Sequence, residues 1–487
     1  MNRLHPVSML YFAVSSLKES LSYTWVIPLL FVLFKSKSSQ SPWFIAAAVL
    51  LLLLVILSVG WLRWKSFVYQ VNPGSIYIKS GIWVKKERWI TPERVQSVDS
   101  TVRVYDRLFH TMTLTLEAAG GEKSGMVLSC ISQEEEERIR RVLLQKPSPG
   151  ADAAGQVASE QPRITAVDLS EQIGIPLRDL MLHSTLSPKF GITFVLLFSG
   201  LMKIWDGSRR DAEALFAKLP LWLGPYWILY SLLLLAAVSW IISLSITLVG
   251  DYRFTLRREE DELCIERGLL EKKKTTIRQK RIQSILIVQR PLQRLLGLVS
   301  IQAVVIRGGE KEESRKTSVL MPILKAKEVP GFLRRYTEYR LADSYRRLDK
   351  KSWRHYVVFP FFAGLLVCVP IVLWVPRPYG GLGLLIPILV FILGWMEFKH
   401  VGWWIEEDQM SIRYGTLSRR MVIMHRNRIQ WSRTTQTVLQ RRRGLASFKA
   451  AMASGKDAMK VSLRHVPANE ASKAMAWTQK QETCVSK

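Results

Sequence analysis

Two stretches of the chain stay uncharged for as long as a bilayer is thick. Residues 41–61 read SPWFIAAAVLLLLLVILSVGW, and Leu219–Val249 is equally free of charge, with Gly224 and Pro225 near its start. A spanning helix needs about 20 mostly apolar residues, so both runs predict membrane helices. Pro360–Val375 and Gly380–Trp395 are two further apolar stretches, parted only by Pro376, Arg377 and Pro378. A break that short predicts a tight helical hairpin. Two weaker runs complete the set. Tyr23–Phe34 spans only if it starts upstream near Leu17, and Phe190–Trp205 contains Lys203, which can snorkel at a helix end. Each weaker run precedes a strong one, which predicts three hairpins over residues 17–62, 188–249 and 355–397.

The rest of the chain is basic. Of its 487 residues 48% are hydrophobic, yet the formal net charge is +29. The apolar and charged residues segregate into runs and blocks rather than mixing at helix or strand period, which is the membrane signature. Cys130, Cys264, Cys368 and Cys484 lie far apart without CxxC spacing. That argues against zinc and for free thiols in a reducing compartment. The N-terminus lacks the basic, apolar and cleavage regions of a signal peptide, so Met1–Phe12 is expected to be retained.

Hairpins return the chain to the side it left. Three of them put both termini and all three large polar blocks in one compartment. Arg63, Lys65, Arg253, Arg354 and Lys399 hug the membrane on that side. The positive-inside rule then makes it cytoplasmic, although Lys35, Lys37, Arg209 and Arg210 in the opposite turns run against this. Trp43, Trp61, Trp64, Trp222, Trp403 and Trp404 sit near run ends, where interfacial aromatics belong.

The three polar blocks repeat one pattern. Gly81, Gly268 and Gly415 are each preceded at three residues by Ile78, Ile265 or Ile412. Thirteen residues after each glycine comes an Arg-aliphatic-Gln triplet: Arg94-Val95-Gln96, Arg281-Ile282-Gln283 and Arg428-Ile429-Gln430. Eleven residues past each Gln stands Arg107, Arg294 or Arg441. Alternating apolar residues before the glycine predict a half-buried strand, the glycine a hairpin turn with φ > 0, and the triplet a further strand. A helix closes each block: Glu134–Leu144 after Ser132 as N-cap, Pro330–Tyr339, and Asn469–Gln481.

The block RIQSILIVQRPLQRLLGLVSI (Arg281–Ile301), set behind a pair of apolar runs, resembles the bacterial pleckstrin-homology-like family of YdbS- and YdbT-like membrane proteins. The three-copy layout is similar to YdbT-like members in particular, and Leu4-His5-Pro6 fits as well. The resemblance covers essentially the whole chain and is sharpest in the middle copy. It implies, for each copy, a seven-stranded, strongly bent β-sandwich or open barrel capped by a C-terminal helix. It implies no catalytic residues. The first copy departs with His110 where the others have Gly297 and Gly444; the third departs with Trp431 where the others have Ser97 and Ser284.

The expected fold is therefore membrane α-helical plus β, with three transmembrane hairpins each followed by a small PH-like module. Its divisions are 1–66 (N-terminal segment and first hairpin), 67–148 (first module), 149–187 (linker), 188–250 (second hairpin), 251–340 (second module), 341–398 (connector and third hairpin) and 399–487 (third module). The linker holds the Ala-, Gly-, Ser- and Pro-rich stretch 145–161.

The sequence holds no GxxxxGK[ST] loop, GxSxG elbow or HExxH pair, and no cofactor, metal or catalytic residue is expected. The repeated glycine, Arg and Gln read as shared scaffold, with a thrice-present ligand site as the alternative. Glu397 and His400, one turn apart at a span end, read as interfacial rather than as a proton site. Basic modules held at a membrane suit anionic lipids; the lack of aromatic-interleaved motifs argues against nucleic acid. The expected partners are the bilayer, a smaller PH-like membrane protein of the same family, and anionic headgroups. The expected role is a non-enzymatic scaffold in envelope maintenance or defence against membrane-active agents. Transport through a six-helix bundle is the alternative, opposed by the scarcity of polar residues at span centres.

Overall fold

In the computed structural model, residues 2–21, 42–72, 75–82, 84–91, 95–118, 125–144, 172–187, 189–207, 226–305, 317–374, 379–453 and 459–479 are described. The run Tyr23–Phe34, most of the hairpin turns, the linker stretch 145–161, Arg94 and Cys484 lie outside them; the rest of the expected linker, from 172 on, is structured. Two compact units emerge. One is the N-terminal part of the chain joined by Leu270–Ile277; the other holds the remaining described residues from 172 onward.

The first copy contains β1 (Asn2–Arg3), β2 (Val68–Asn72), β3 (Ser75–Ser80) and β4 (Lys86–Ile90) in one four-stranded sheet. Its second sheet holds β5 (Val95–Val102), β6 (Thr111–Ala118) and β7 (Gly125–Ser132). The second copy supplies β8 (Gln172–Gly174), β9 (Thr255–Glu259), β10 (Glu262–Arg267) and β11 (Lys272–Arg278), then β12 (Ile282–Gln289), β13 (Leu298–Val305) and β14 (Thr317–Lys325). The third repeats the order with β15 (Arg346–Arg347), β16 (Gly402–Ile405), β17 (Gln409–Tyr414) and β18 (Arg419–His425), then β19 (Ile429–Thr435), β20 (Leu445–Met452) and β21 (Met459–Pro467). Each copy thus has seven strands. The first of the seven comes from before the membrane segment, upstream of the expected module starts at 67, 251 and 399, because β1, β8 and β15 pair with β2, β9 and β16.

The helices, in chain order, are α1 (Ser8–Leu21), α2 (Pro42–Lys65), α3 (Val104–Leu108), α4 (Gln133–Leu144), α5 (Leu177–Thr185), α6 (Lys189–Gly207), α7 (Trp227–Asp251), α8 (Pro291–Leu295), α9 (Val329–Tyr336), α10 (Phe359–Trp374), α11 (Leu385–His400), α12 (Val438–Arg441) and α13 (Ala468–Gln479). The closing helices are α4, α9 and α13. Ser132 Oγ accepts the Glu135 N–H at 3.3 Å, capping α4. The second closing helix stops at Tyr336 rather than Tyr339, because the Thr337 hydroxyl donates back to the Leu333 carbonyl at 2.8 Å and the chain turns extended.

By length and composition, Leu229–Asp251 and Lys350–Trp374 can cross a membrane among the described residues. The pair Leu177–Thr185 and Lys189–Lys203, bent by 49°, makes a third if it counts as one span. The described helices therefore fall short of three full hairpins. In the third pair, α10 and α11 pack closely: Gly364 lies against Pro387 and Val390, and a Cβ on Gly394 would collide with the Tyr356 carbonyl. In the first unit α1 packs on α2, where a Cβ on Gly60 would meet the Met9 carbonyl oxygen at 2.8 Å.

Alternation builds the cores. In β3, Ile76 and Ile78 are buried between less buried neighbours and meet Leu114, Leu116 and Leu128 of the facing sheet and Ile139 and Leu143 of α4. The third copy packs Met410, Ile412, Val422 and Met424 against Phe448, Val461, Leu463 and Ala471. One member of this third core, Leu286, belongs to β12 of the second copy.

That guest leucine reflects how the sheets join. Strands β14-β13-β12 of the second copy continue directly into β18-β17-β16-β15 of the third as one seven-stranded sheet. Within the first unit, β5 pairs in the same way with β11. Within each unit, strands of neighbouring copies thus pair directly.

Candidate functional site

The repeated residues build joints. Gly81, Gly268 and Gly415 have φ of 117°, 106° and 119°, a region open to glycine. A Cβ at Gly81 or Gly415 would collide with the carbonyl of Val84 or Ser418. The turn made there docks on the incoming helix. Gly268 N–H donates to the Tyr252 carbonyl at 2.8 Å, and Leu269 N–H to that of Val249 at 2.9 Å, while Arg267 pairs with Asp251 at 2.8 Å. In the third copy His400, the last residue of α11, points Nδ1 at the carbonyls of Gly415 and Thr416, at 3.2 and 3.1 Å. That makes Nδ1 the protonated nitrogen and leaves Nε2 to accept from Arg294 Nη1 at 2.8 Å.

Each repeated Gln stands at a β-bulge. Register slips by one residue between Val95 and Ser97, between Ile282 and Ser284, and between Ile429 and Trp431, so Gln96, Gln283 and Gln430 are the extra residues. Gln283 donates to the Arg281 carbonyl at 3.1 Å. Arg281 and Arg428 end short 3-10 turns, whose first N–H groups donate to the Asp261 and Asp408 carbonyls at 2.8 and 3.0 Å.

Arg107, Arg294 and Arg441 ride on the short helices α3, α8 and α12, with exposed side chains. Their carbonyls accept the N–H of His110, Gly297 and Gly444 at 3.4, 3.2 and 3.1 Å. Those three residues share φ of 51°, 64° and 65°. His110 therefore occupies the same left-handed position as the two glycines.

Sequence reasoning missed one column. Asp106, Gln293 and Gln440 are buried, and each accepts the backbone N–H three residues before it, at 3.1, 3.1 and 2.9 Å. Two residue types perform one capping role. An Asp or Gln directly before each repeated Arg was the available signal.

The pairing of β12 with β18 has a cleft at one end, where Ile282 begins β12 and His425 ends β18. The cleft, of about 90 Å³, is lined by Gln279, Ile282, Thr337, Tyr339, His425 and Arg428. Two of its polar side chains bond within it. Tyr339 Oη donates to the Ile282 carbonyl at 3.1 Å, and His425 Nδ1 meets Asp408 Oδ2 at 3.0 Å. Burial pushes the Tyr339 phenol well up, so it stays a donor. The cleft is a joint between copies. Among the described residues no group of three His, Cys, Asp or Glu is placed to hold a metal. Cys130, Cys264 and Cys368 are buried free thiols, and burial followed by the nearby Asp106 pushes Cys130 up to about 11.

The seams repeat to the residue. Ser97 pairs with Ile277, and Ser284 with Met424. Both serines lie sixteen residues after their turn glycine, and Ile277 and Met424 lie nine after theirs. Trp431 is the third copy's residue at the serine position. Here β19 ends the sheet β19-β20-β21 among the described residues, and Trp431 is exposed while Ser97 and Ser284 are buried.

A bacterial PH domain model matches the chain three times, over residues 25–147, 215–340 and 359–482. The chain belongs to the bacterial PH domain family. Each match takes in apolar sequence ahead of the β module, so this bacterial PH unit includes membrane segment and sandwich together. The chain is also similar to the UPF0699 transmembrane protein YdbT of Bacillus subtilis (strain 168), 24% identical over 483 residues, 98% of this chain and 97% of that protein. With the apolar helices, this similarity makes the chain a membrane protein carrying three bacterial PH repeats.

Proposed function

We propose that this chain is a non-enzymatic, multi-pass membrane scaffold that recruits one more bacterial PH module at the open edge of β19. The single observation behind this reading is the seam. Twice within the chain, the fifth strand of one copy takes the fourth strand of the next in the same register. Strand β19 is the third fifth strand, and it ends its sheet among the described residues. Edge strands are templates for pairing, and added strands draw affinity from main-chain hydrogen bonds. By the same register Trp431 would face the partner residue nine places after the partner's turn glycine.

A second copy of this chain fits poorly as that partner. Its own β4 would set Arg88 opposite Arg433, and like charges directly across a strand pair repel. A smaller, single-module membrane protein of the family, with a neutral or acidic residue there, is the better match. In this reading six spans form three hairpins and hold both termini and all modules in the cytoplasm. Envelope maintenance is the biological role that such a scaffold would serve.

Co-expression with the single-module relative from the same organism tests the partner. Trp431→Asp with Arg433→Glu abolishes its stoichiometric co-purification while the circular dichroism of the solubilised scaffold is unchanged. Undiminished co-purification overturns the β19 site. Reporters fused after Gly155 and Lys487 behave as cytoplasmic; an external reporter at either overturns the topology.

A further inference from the structure

The short helix between the fifth and sixth strands is exposed and apolar in every copy. Val104 and Leu108 on α3 are 59% and 74% exposed, Leu292 and Leu295 on α8 54% and 82%, and Val438 and Leu439 on or beside α12 71% and 52%. These are ordered elements, fixed by the buried capping side chains of Asp106, Gln293 and Gln440. Exposed apolar clusters on rigid elements mark contact surfaces.

What covers them follows from what stands beside them. An arginine on or beside each short helix approaches a helix that belongs to, or leads toward, the membrane region. Arg103 lies 5.4 Å from the ring of Tyr11 in α1, which leads toward the first hairpin. Arg294 reaches His400 at the end of α11 at 2.8 Å. Arg443 lies 5.8 Å from the ring of Phe359, inside the candidate span Lys350–Trp374. The second tip is also strongly cationic, because Arg294 and Arg413 stand close to Arg419; burial and then these two neighbours lower the Arg419 pKa. The third copy replaces the apolar residues at the positions of Leu295 and Leu296 with Arg442 and Arg443. Leucine and aromatic tips beside arginine, at the ends of membrane helices, match the layering of an anionic bilayer: acyl chains below, phosphates above.

We propose that α3, α8 and α12 are bilayer-contact tips, whose apolar side chains enter the headgroup–acyl boundary while the flanking arginines hold anionic lipid headgroups. This rests on the membrane reading above and adds to it the part of each module that meets lipid. It also separates two surfaces: the tips face lipid, and the β19 edge is left for protein.

The test uses the full-length protein with its native cysteines replaced by serine, reconstituted in phosphatidylcholine–phosphatidylglycerol vesicles. An environment-sensitive fluorophore is attached at Leu108→Cys, Leu295→Cys, Glu407→Cys or Leu373→Cys. Glu407 lies in the exposed turn between β16 and β17, at the end of the module where Asp408 lines the cleft, and Leu373 lies in α10. Labels at 108 and 295 are quenched several-fold more by acyl-chain nitroxide lipids than the label at 407, and are shielded from aqueous iodide. In vesicles of phosphatidylcholine alone the difference shrinks. Tip labels as open to iodide as the label at 407 overturn the proposal, and so does shielding from iodide without lipid quenching, which means protein covers the tips. Quenching that is the same without phosphatidylglycerol overturns the headgroup part. If the tips fail while the label at 373 stays lipid-quenched, the membrane reading survives; if 373 fails as well, that reading falls with them.

Discussion

Ser284 and Met424 face each other across the seam where the second copy's β12 meets the third copy's β18. Through this seam Leu286 leaves its own module and enters the core of the next, among Trp403, Met410 and Val422. The modules at the seam therefore share stability as well as backbone hydrogen bonds.

Leu286→Ala tests that sharing. Truncating a buried leucine costs about 2–5 kcal/mol. Although residue 286 belongs to the second copy, the loss is expected to appear in the third, as faster amide exchange in β16, β17 and β18. Exchange that rises only in β13 and β14 would mean that the copies fold independently.

Gly297 and His110 share one backbone conformation but differ in residue, and nothing lies within 4 Å of where a Gly297 Cβ would stand. The effect of substitution there is conformational. Gly297→Ala lowers stability by about 1–2 kcal/mol, the strain of a left-handed residue with a Cβ. His110→Gly relieves that strain, offset in part by unfolded-chain entropy, for a gain of up to about 1 kcal/mol. Denaturant titration of the solubilised protein measures both; a destabilising His110→Gly would contradict the equivalence.

Gly415→Ala is expected to be far worse than Gly297→Ala. It combines the unfavourable φ with a collision against the Ser418 carbonyl, in a turn that holds His400. A melting temperature closer to wild type than that of Gly297→Ala would contradict this.

His465 gives the third copy an acid sensitivity. It is held neutral by burial first, then by His355 and Arg464, which depress its pKa to about 4. Its Nδ1 accepts from Gln440 Nε2 at 2.8 Å, a bond that protonation removes. The unfolded chain binds the proton near pH 6.5 and the folded chain only near 4. The contribution of His465 is therefore fully present above about pH 6.5 and is lost as pH falls toward 4. Melting curves across this window check it, and His465→Gln flattens the loss.

The glycine column was legible because a hairpin turn is a local demand, met within a few residues. The apolar runs behind Leu229–Asp251 and Lys350–Trp374 were legible for the same reason. Strands β1, β8 and β15 were not, since two or three residues carry no periodicity and their partners lie beyond a whole membrane segment. The seam was hidden as well: alternation shows which face of β12 is buried, not that Leu286 is buried in another copy. The Asp106, Gln293 and Gln440 column escaped because one backbone role is open to several side chains. Trp431 was visible as a departure, but its meaning came only once β19 was seen to end its sheet.

The most direct measurement is a register-specific disulfide. Trp431→Cys in the scaffold is paired with cysteine nine residues past the turn glycine of the co-expressed single-module relative. The expected result is efficient cross-linking in native membranes that drops sharply when the partner cysteine moves along its strand by two positions. No cross-link, or one indifferent to that shift, would contradict strand recruitment at β19.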